Sequence, residues 1–135
     1  MSNTPVRFSV VALVALVAGL TACASKPTEP AKTVADTGLD RMERLTLNAN
    51  RCWIKSKDPA FARYSLAPEL SSFSGKPRFL LVPKGKPEAR PLLVVEGQSG
   101  SSGVDTYGPL MSDGLASRIG ADVTRWAAGG NSCSA

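Results

Sequence analysis

The side chains that could do chemistry in this chain of 135 residues are cysteine, serine, lysine and the carboxylates, because histidine is absent. Without an imidazole, Ser–His and Cys–His nucleophile activation fall away, as do the usual zinc hydrolase sites. Three cysteines occur, at Cys23, Cys52 and Cys133. Gly97-Gln98-Ser99-Gly100-Ser101 superficially suggests a nucleophile elbow, but its spacing departs from G-x-S-x-G. A serine, Ser99 or Ser101, with a desolvated lysine as base is the nucleophilic option left. A flexible solvated loop is the plainer reading of those serines. Glu69, Glu88, Glu96, Asp105, Asp113 and Asp122 show no paired spacing of a carboxylate site, although carboxylates distant in sequence can meet in space. Glu96, at the end of an apolar run, is the one that could join such a site, or it simply leaves the sheet into water. No Walker loop, dinucleotide fingerprint or calcium loop is present. No cofactor and no metal are therefore expected.

Charge is distributed unevenly. Residues 51–90 hold nine basic side chains against Asp58, Glu69 and Glu88, whereas residues 91–135 hold only Arg118 and Arg125 against four acids. Lys84, Lys86 and Arg90 gather in one polar stretch, with Lys76 and Arg78 shortly before it. Such a cluster suits an anionic partner: lipid headgroups, lipopolysaccharide phosphates or an acidic protein. The alternative is a solvated loop whose lysines keep the chain soluble and block edge pairing. Nucleic acid is not expected, because aromatic residues do not interleave with the basic ones as stacking platforms would.

Cys23 has the most specific surroundings. Arg7 precedes Phe8–Leu20, an unbroken apolar run of thirteen residues. A permanent membrane span needs about 20 residues, so the run fits the apolar part of a secretory signal. It leads into Leu20-Thr21-Ala22-Cys23. These four residues resemble the lipobox of bacterial lipoproteins: an aliphatic residue, two small ones, then cysteine. The resemblance covers residues 1–23. It implies diacylglycerol on the Cys23 sulfur, cleavage that removes residues 1–22, and acylation of the new amino group. The other reading is an ordinary secretory signal with a chance cysteine. One acyl chain, at about 0.8 kcal/mol per buried CH₂, binds only marginally, while two or three hold durably. Ala24 after the lipid-bearing cysteine resembles an outer-membrane sorting signal, so the resemblance implies a lipid-anchored envelope protein on the periplasmic face of the outer membrane. With Cys23 lipidated, Cys52 and Cys133 remain, and an oxidising compartment favours a bridge between them over two separate thiols.

The elements that must position these groups follow from periodicity. Residues 23–38 carry prolines, mixed charge and almost no large apolar group, so they read as a lipidated flexible tether. A single globular domain spans 39–135. Leu39, Met42, Leu45 and Ala49 recur at helical spacing, which predicts a helix over 37–50 capped by Asp36 or Thr37. Cys52-Trp53-Ile54 suggests a short strand or turn at 52–56. Residues 60–74 suggest extended pieces with turns, since Pro68 argues against one regular element. Runs 78–82 and 91–96 predict two buried strands joined as a hairpin. Gly97–Gly103 reads as a flexible loop. Leu115, Ile119, Val123 and Trp126 predict a second helix, capped by Ser112 or Asp113 and ended by Gly129-Gly130. Arg118 and Asp122, four apart, predict a solvent-side pair worth a few tenths of a kcal/mol.

The expected fold is α+β: a small antiparallel sheet with a central hairpin, packed by an N-terminal and a C-terminal helix and closed by one disulfide. Trp53 and Trp126 are expected to pack beside the cysteines. The segment Cys52–Cys133 also resembles small uncharacterised lipoproteins of Gram-negative bacteria, through Cys52-Trp53, Leu66-Ala67-Pro68-Glu69-Leu70, Phe79-Leu80-Leu81-Val82-Pro83 and Trp126–Cys133. That resemblance implies no activity. The expected function is a non-enzymatic binding or scaffold module, anchored to the membrane through Cys23. The alternative is a small envelope hydrolase using Ser/Lys or paired carboxylates. A carrier of soluble ligands would need an apolar cavity and ranks lower.

Overall fold

The structure is a computed structural model that describes residues 38–98 and 100–134. The expected signal segment, Cys23, the tether up to residue 37 with its capping candidates Asp36 and Thr37, and Ser99 lie outside the described residues. Among the described residues no helix is long and apolar enough to cross a membrane.

Helix α1 spans Leu39–Ala49. Met42, Leu45 and Ala49 are fully buried along one face, as the periodicity requires. Gly38 starts the helix at φ 75° with no side-chain cap. A β-carbon there would lie 2.9 Å from the Gln98 carbonyl oxygen, so both conformation and contact call for glycine. The helix does not stop at residue 50. It widens into a π-helical turn, Asn50–Lys55, where the sequence suggested a strand or turn. The apolar trio Cys52-Trp53-Ile54 carries β-propensity, but continuing the helix turns Cys52 and Trp53 into the core, each about 1% exposed.

Four strands form one antiparallel sheet in the order β1-β2-β3-β4: β1 Tyr64–Glu69, β2 Arg78–Pro83, β3 Leu93–Gly97 and β4 Val104–Tyr107. The central hairpin β2–β3 is the expected one, with Phe79 opposite Val95 and Leu81 opposite Leu93. Strand β1 runs through Pro68, contrary to the sequence expectation. The reason is register. The Lys84 amide donates to the Arg63 carbonyl at 2.8 Å, which makes alternate pairs from 63↔84 onward the bonded ones. Pro68 opposes Phe79 at an unbonded position on an edge strand, where its missing N–H costs the ladder nothing. Gly97, expected in a loop, closes β3, and β4 begins after a shortened turn.

Helix α2 spans Ala116–Ala127 and buries Ile119, Val123 and Trp126. Its start differs from expectation: Leu115 is the N-cap and no side chain caps it, while the Asp113 carbonyl accepts the Ala116 amide at 3.0 Å. Its end follows expectation. Gly129 at φ 98° lets the Gly130 amide reach the Arg125 carbonyl and the Gly129 amide reach the Trp126 carbonyl. The core lies between the two helices and one sheet face. Trp53 stacks on Phe61 at 4.8 Å between centroids, tilts against Trp126 at 5.1 Å and meets the edge of Phe79 at 6.2 Å. Cys52 and Cys133 form the expected disulfide, with Cα atoms 5.0 Å apart across 81 residues of sequence. The tail it holds is also strapped by side chains. Trp126 Nε1 donates to the Ser132 carbonyl at 2.9 Å, and the Arg51 guanidinium donates to the Asn131 carbonyl.

Candidate functional site

The strand directions divide the chemistry between two ends of the sheet. At one end lie the β1–β2 connection, the start of β2, the end of β3, Gln98, residues 100–103 and Gly38. At the other lie the start of β1, the β2–β3 connection and the turn after β4.

At the Gly38 end, register builds a charged row across the sheet face turned away from the helices. Glu69 opposes Arg78, Arg78 opposes Glu96, and Glu96 opposes Asp105. Arg78 Nε donates to Glu69 Oε2 at 2.6 Å, and an Arg78 Nη lies 3.8 Å from Glu96. Lys76 Nζ donates to Glu96 Oε1 at 3.3 Å, while Gln98 Nε2 donates to Asp105 Oδ2 at 2.6 Å. The hydrogen bond to Glu69, with the charges of Glu69 and Glu96 adding to it against desolvation, pushes the Arg78 pKa above its ordinary value. Glu96 does not leave the sheet into water. It is buried, 8% exposed, and held by two cations. Charge-assisted bonds of this kind offset the cost of burying a carboxylate. Two carboxylates, Glu96 and Asp105, thus stand opposite each other, the one feature here that an acid–base site would need. The Ser101 hydroxyl instead accepts the Gly103 amide at 3.0 Å, and among the described residues no lysine hydrogen-bonds to it. Among those residues no group of three or more potential ligands could hold a metal ion.

The opposite end is basic. Lys84 and Lys86 start the β2–β3 connection and Arg90 lies near its close, all three exposed. The register adds two cations that sequence distance conceals. Arg63 is hydrogen-bonded through its backbone to Lys84, and Lys57 shares with Lys84 the rim of a small depression. That depression, about 200 Å³, is floored by Trp53, Ile54, Phe61 and Tyr64. It is smaller than pockets that enclose a drug-sized ligand, roughly 300–1,000 Å³. Lys57 has φ 59°, a conformation a non-glycine residue adopts at a cost, and it turns the chain out of the π-helical turn. Among the described residues no ion pair engages Lys57, Arg63, Lys84, Lys86 or Arg90. Lys76 and Arg78, grouped with the basic stretch by sequence, are neutralised at the other end. Five cations without an ion pair thus gather at this end, while Arg44, Arg51 and Lys55, also outside the ion pairs, belong to the first helix and its π-helical turn.

Behind this end, a buried acid locks the frame. Asp122 was expected on the solvent side, yet it is 3% exposed. Its Oδ2 accepts the Trp53 indole N–H at 2.8 Å, and it pairs with Arg118 and Arg125. Arg118 also meets Asp58 at 2.7 Å and lies over the Phe61 ring. The Ala60 amide, and then the Arg118 guanidinium, hold the Asp58 carboxyl below the usual aspartate range, against desolvation. Asp122 borders the apolar stripe of Ile119, Val123 and Trp126, which is how the helix carries it inward.

No protein-family model matches this chain, and neither curated proteins nor solved structures provide a match. Function must therefore be argued from the chemistry of its own residues.

Proposed function

We propose that this chain is a lipid-anchored envelope lipoprotein and that its domain is a non-enzymatic binding module whose basic end takes an anionic envelope component or an acidic protein. The observation that carries this reading is the gathering of Lys57, Arg63, Lys84, Lys86 and Arg90, free of ion pairs, at the end of the sheet farthest from Gly38. Gly38, where the described residues begin, lies at the other end of the sheet from these cations. The Leu20–Cys23 lipobox supports the anchor, and the bridge between Cys52 and Cys133 fits an oxidising compartment. Unneutralised cations in one patch attract an anionic surface and speed encounter with it, an effect that salt weakens.

Reversing charge at Lys84, Lys86 and Arg90 in the full chain should weaken in-cell crosslinking of a partner from this end. Unchanged recovery would remove the basic end from the account. Replacing Cys23 with serine should abolish acylation and leave the uncleaved precursor mass in place of the processed one. Membrane fractionation at the usual processed mass would end the lipoprotein reading. The hydrolase reading draws on one observation, the opposition of Glu96 and Asp105. It requires that E96Q and D105N abolish an envelope hydrolysis that the parent performs.

A further inference from the structure

We propose that the tip of the β1–β2 hairpin, with Phe73 at its apex, inserts into the interface of the phospholipid bilayer that carries the anchor. The inference rests on the lipoprotein reading for its source of proximity, and on the hairpin's own geometry for the contact.

Phe73 is fully exposed, the most exposed large apolar side chain among the described residues. Its projection is built into the turn. Ser72 Oγ donates to the Lys76 carbonyl at 2.6 Å, the Ser72 and Ser74 hydroxyls lie 2.9 Å apart, and the Gly75 amide reaches the Ser72 carbonyl at 3.0 Å. Gly75 takes φ 72°, which closes the turn in a conformation other residues rarely adopt. Phe73 lines one side of an open hollow with Pro68 and Leu70, and its ring remains fully exposed there. Lys76, half-exposed at the base of the tip, is paired with Glu96, so the contact rests on the ring and not on a free cation.

Placement selects the occupant. The Pro77 carbonyl accepts the Gly97 amide at 2.9 Å, and Gly97 and Gln98 pack against Gly38. The hairpin base is thus beside the point where the chain joins the domain. On the lipoprotein reading only about fifteen residues of sequence separate Cys23 from Gly38, a length for which a random coil has an end-to-end distance of roughly 20 Å. A single inserted aromatic binds only marginally when free in solution, but a tether converts the event into an intramolecular one at high effective concentration. Insertion here orients the domain with its basic end outward. A wedge of one ring flanked by serine hydroxyls suits the interfacial zone, where apolar and polar groups meet, better than a flat protein surface.

Depth-dependent quenching tests this on the mature full chain in vesicles of phosphatidylethanolamine and phosphatidylglycerol carrying brominated acyl chains. Trp53 and Trp126 are 1% and 0% exposed, so their emission is a constant background. F73W should shift to the blue and be quenched several-fold more than E88W, which reports the opposite, exposed connection. Equal quenching at both positions, or none at position 73, overturns the proposal. So does an F73W signal that is shielded in native envelope vesicles yet unquenched by brominated lipid, which would give the tip to a protein. The mass of the same preparation reports acylation independently. An unacylated chain that still shows selective quenching at 73 would remove the anchor and keep the tip.

Discussion

Asp122 does several things with one carboxylate, and its cost and benefit can be separated by substitution. A buried carboxylate is unfavourable unless its partners are in place. Here they are the Trp53 indole and the Arg118 and Arg125 guanidiniums. Asp122→Ala orphans the indole N–H and releases both arginines, which remain partly exposed and so recover some hydration. The expected loss is about 2–3 kcal/mol in urea denaturation, while Asp122→Asn, which keeps an acceptor for Trp53, should cost about 1 kcal/mol. Asp58 acts through pH instead. Its folded pKa lies below the unfolded value, so its contribution is complete above about pH 4 and fades as pH falls through the lowered folded value. Asp58→Asn should therefore be less stable than the parent at neutral pH, and the gap should close on acidification. A gap that is constant with pH in equilibrium unfolding would disconnect the carboxylate charge from stability. Neither role could be read at sequence level, because each depends on residues brought from distant segments. Lys84, Lys86 and Arg90 were legible because they are neighbours in sequence; Lys57 and Arg63 joined them only through the folding of β1 against β2.

At the level of elements, legibility followed the strength of the local pattern. Both helices and the β2–β3 hairpin announce themselves by apolar spacing and by the prolines and glycines that bound them. Strand β4, Val104–Tyr107, has only four residues and is held by pairing with β3 rather than by its own burial. Strand β1 was obscured by Pro68, whose effect depends on whether its position is bonded, a property of register that periodicity does not contain. Cys52-Trp53-Ile54 suggests a short strand or turn rather than the π-helical turn, because the trio satisfies any of these conformations until the core decides. Gly97 shows how elements set residues in turn. A β-carbon there would stand 2.6 Å from Met42 Cγ, so α1 packs onto the end of β3 through the absence of a side chain. Gly97→Ala should destabilise the domain by about 1–3 kcal/mol through overpacking. Met42→Ala opens a cavity, at a cost of about 2–5 kcal/mol. The two changes address the same space, so their combination should cost less than the sum. Additive losses in a double-mutant cycle would place the strain elsewhere.

For the whole molecule, the question is what holds a small domain together while both ends of its sheet remain exposed to contacts. The sheet buries one face under two helices, and the helices meet around Trp53 and Trp126. The last residues then return across α1, where the disulfide, the Arg51 bond to Asn131 and the Asn48 bond to Gly130 fix them. The bridge therefore closes nearly the entire domain into a loop of 81 residues' separation. In the chain-entropy account a closure of this length is worth on the order of 4 kcal/mol, exerted on the unfolded ensemble. This differs from the contribution of Trp126, which acts in the folded core. A variant with both Cys52 and Cys133 changed to alanine should thus lose up to about 4 kcal/mol and also unfold with a steeper denaturant slope, because its unfolded chain expands further. Trp126→Ala with the bridge intact should lower the midpoint without steepening that slope. Equal slopes for the bridged and unbridged chains would mean that the disulfide stabilises the folded tail rather than restricting the unfolded chain, and the tail's own hydrogen bonds would then account for the closure.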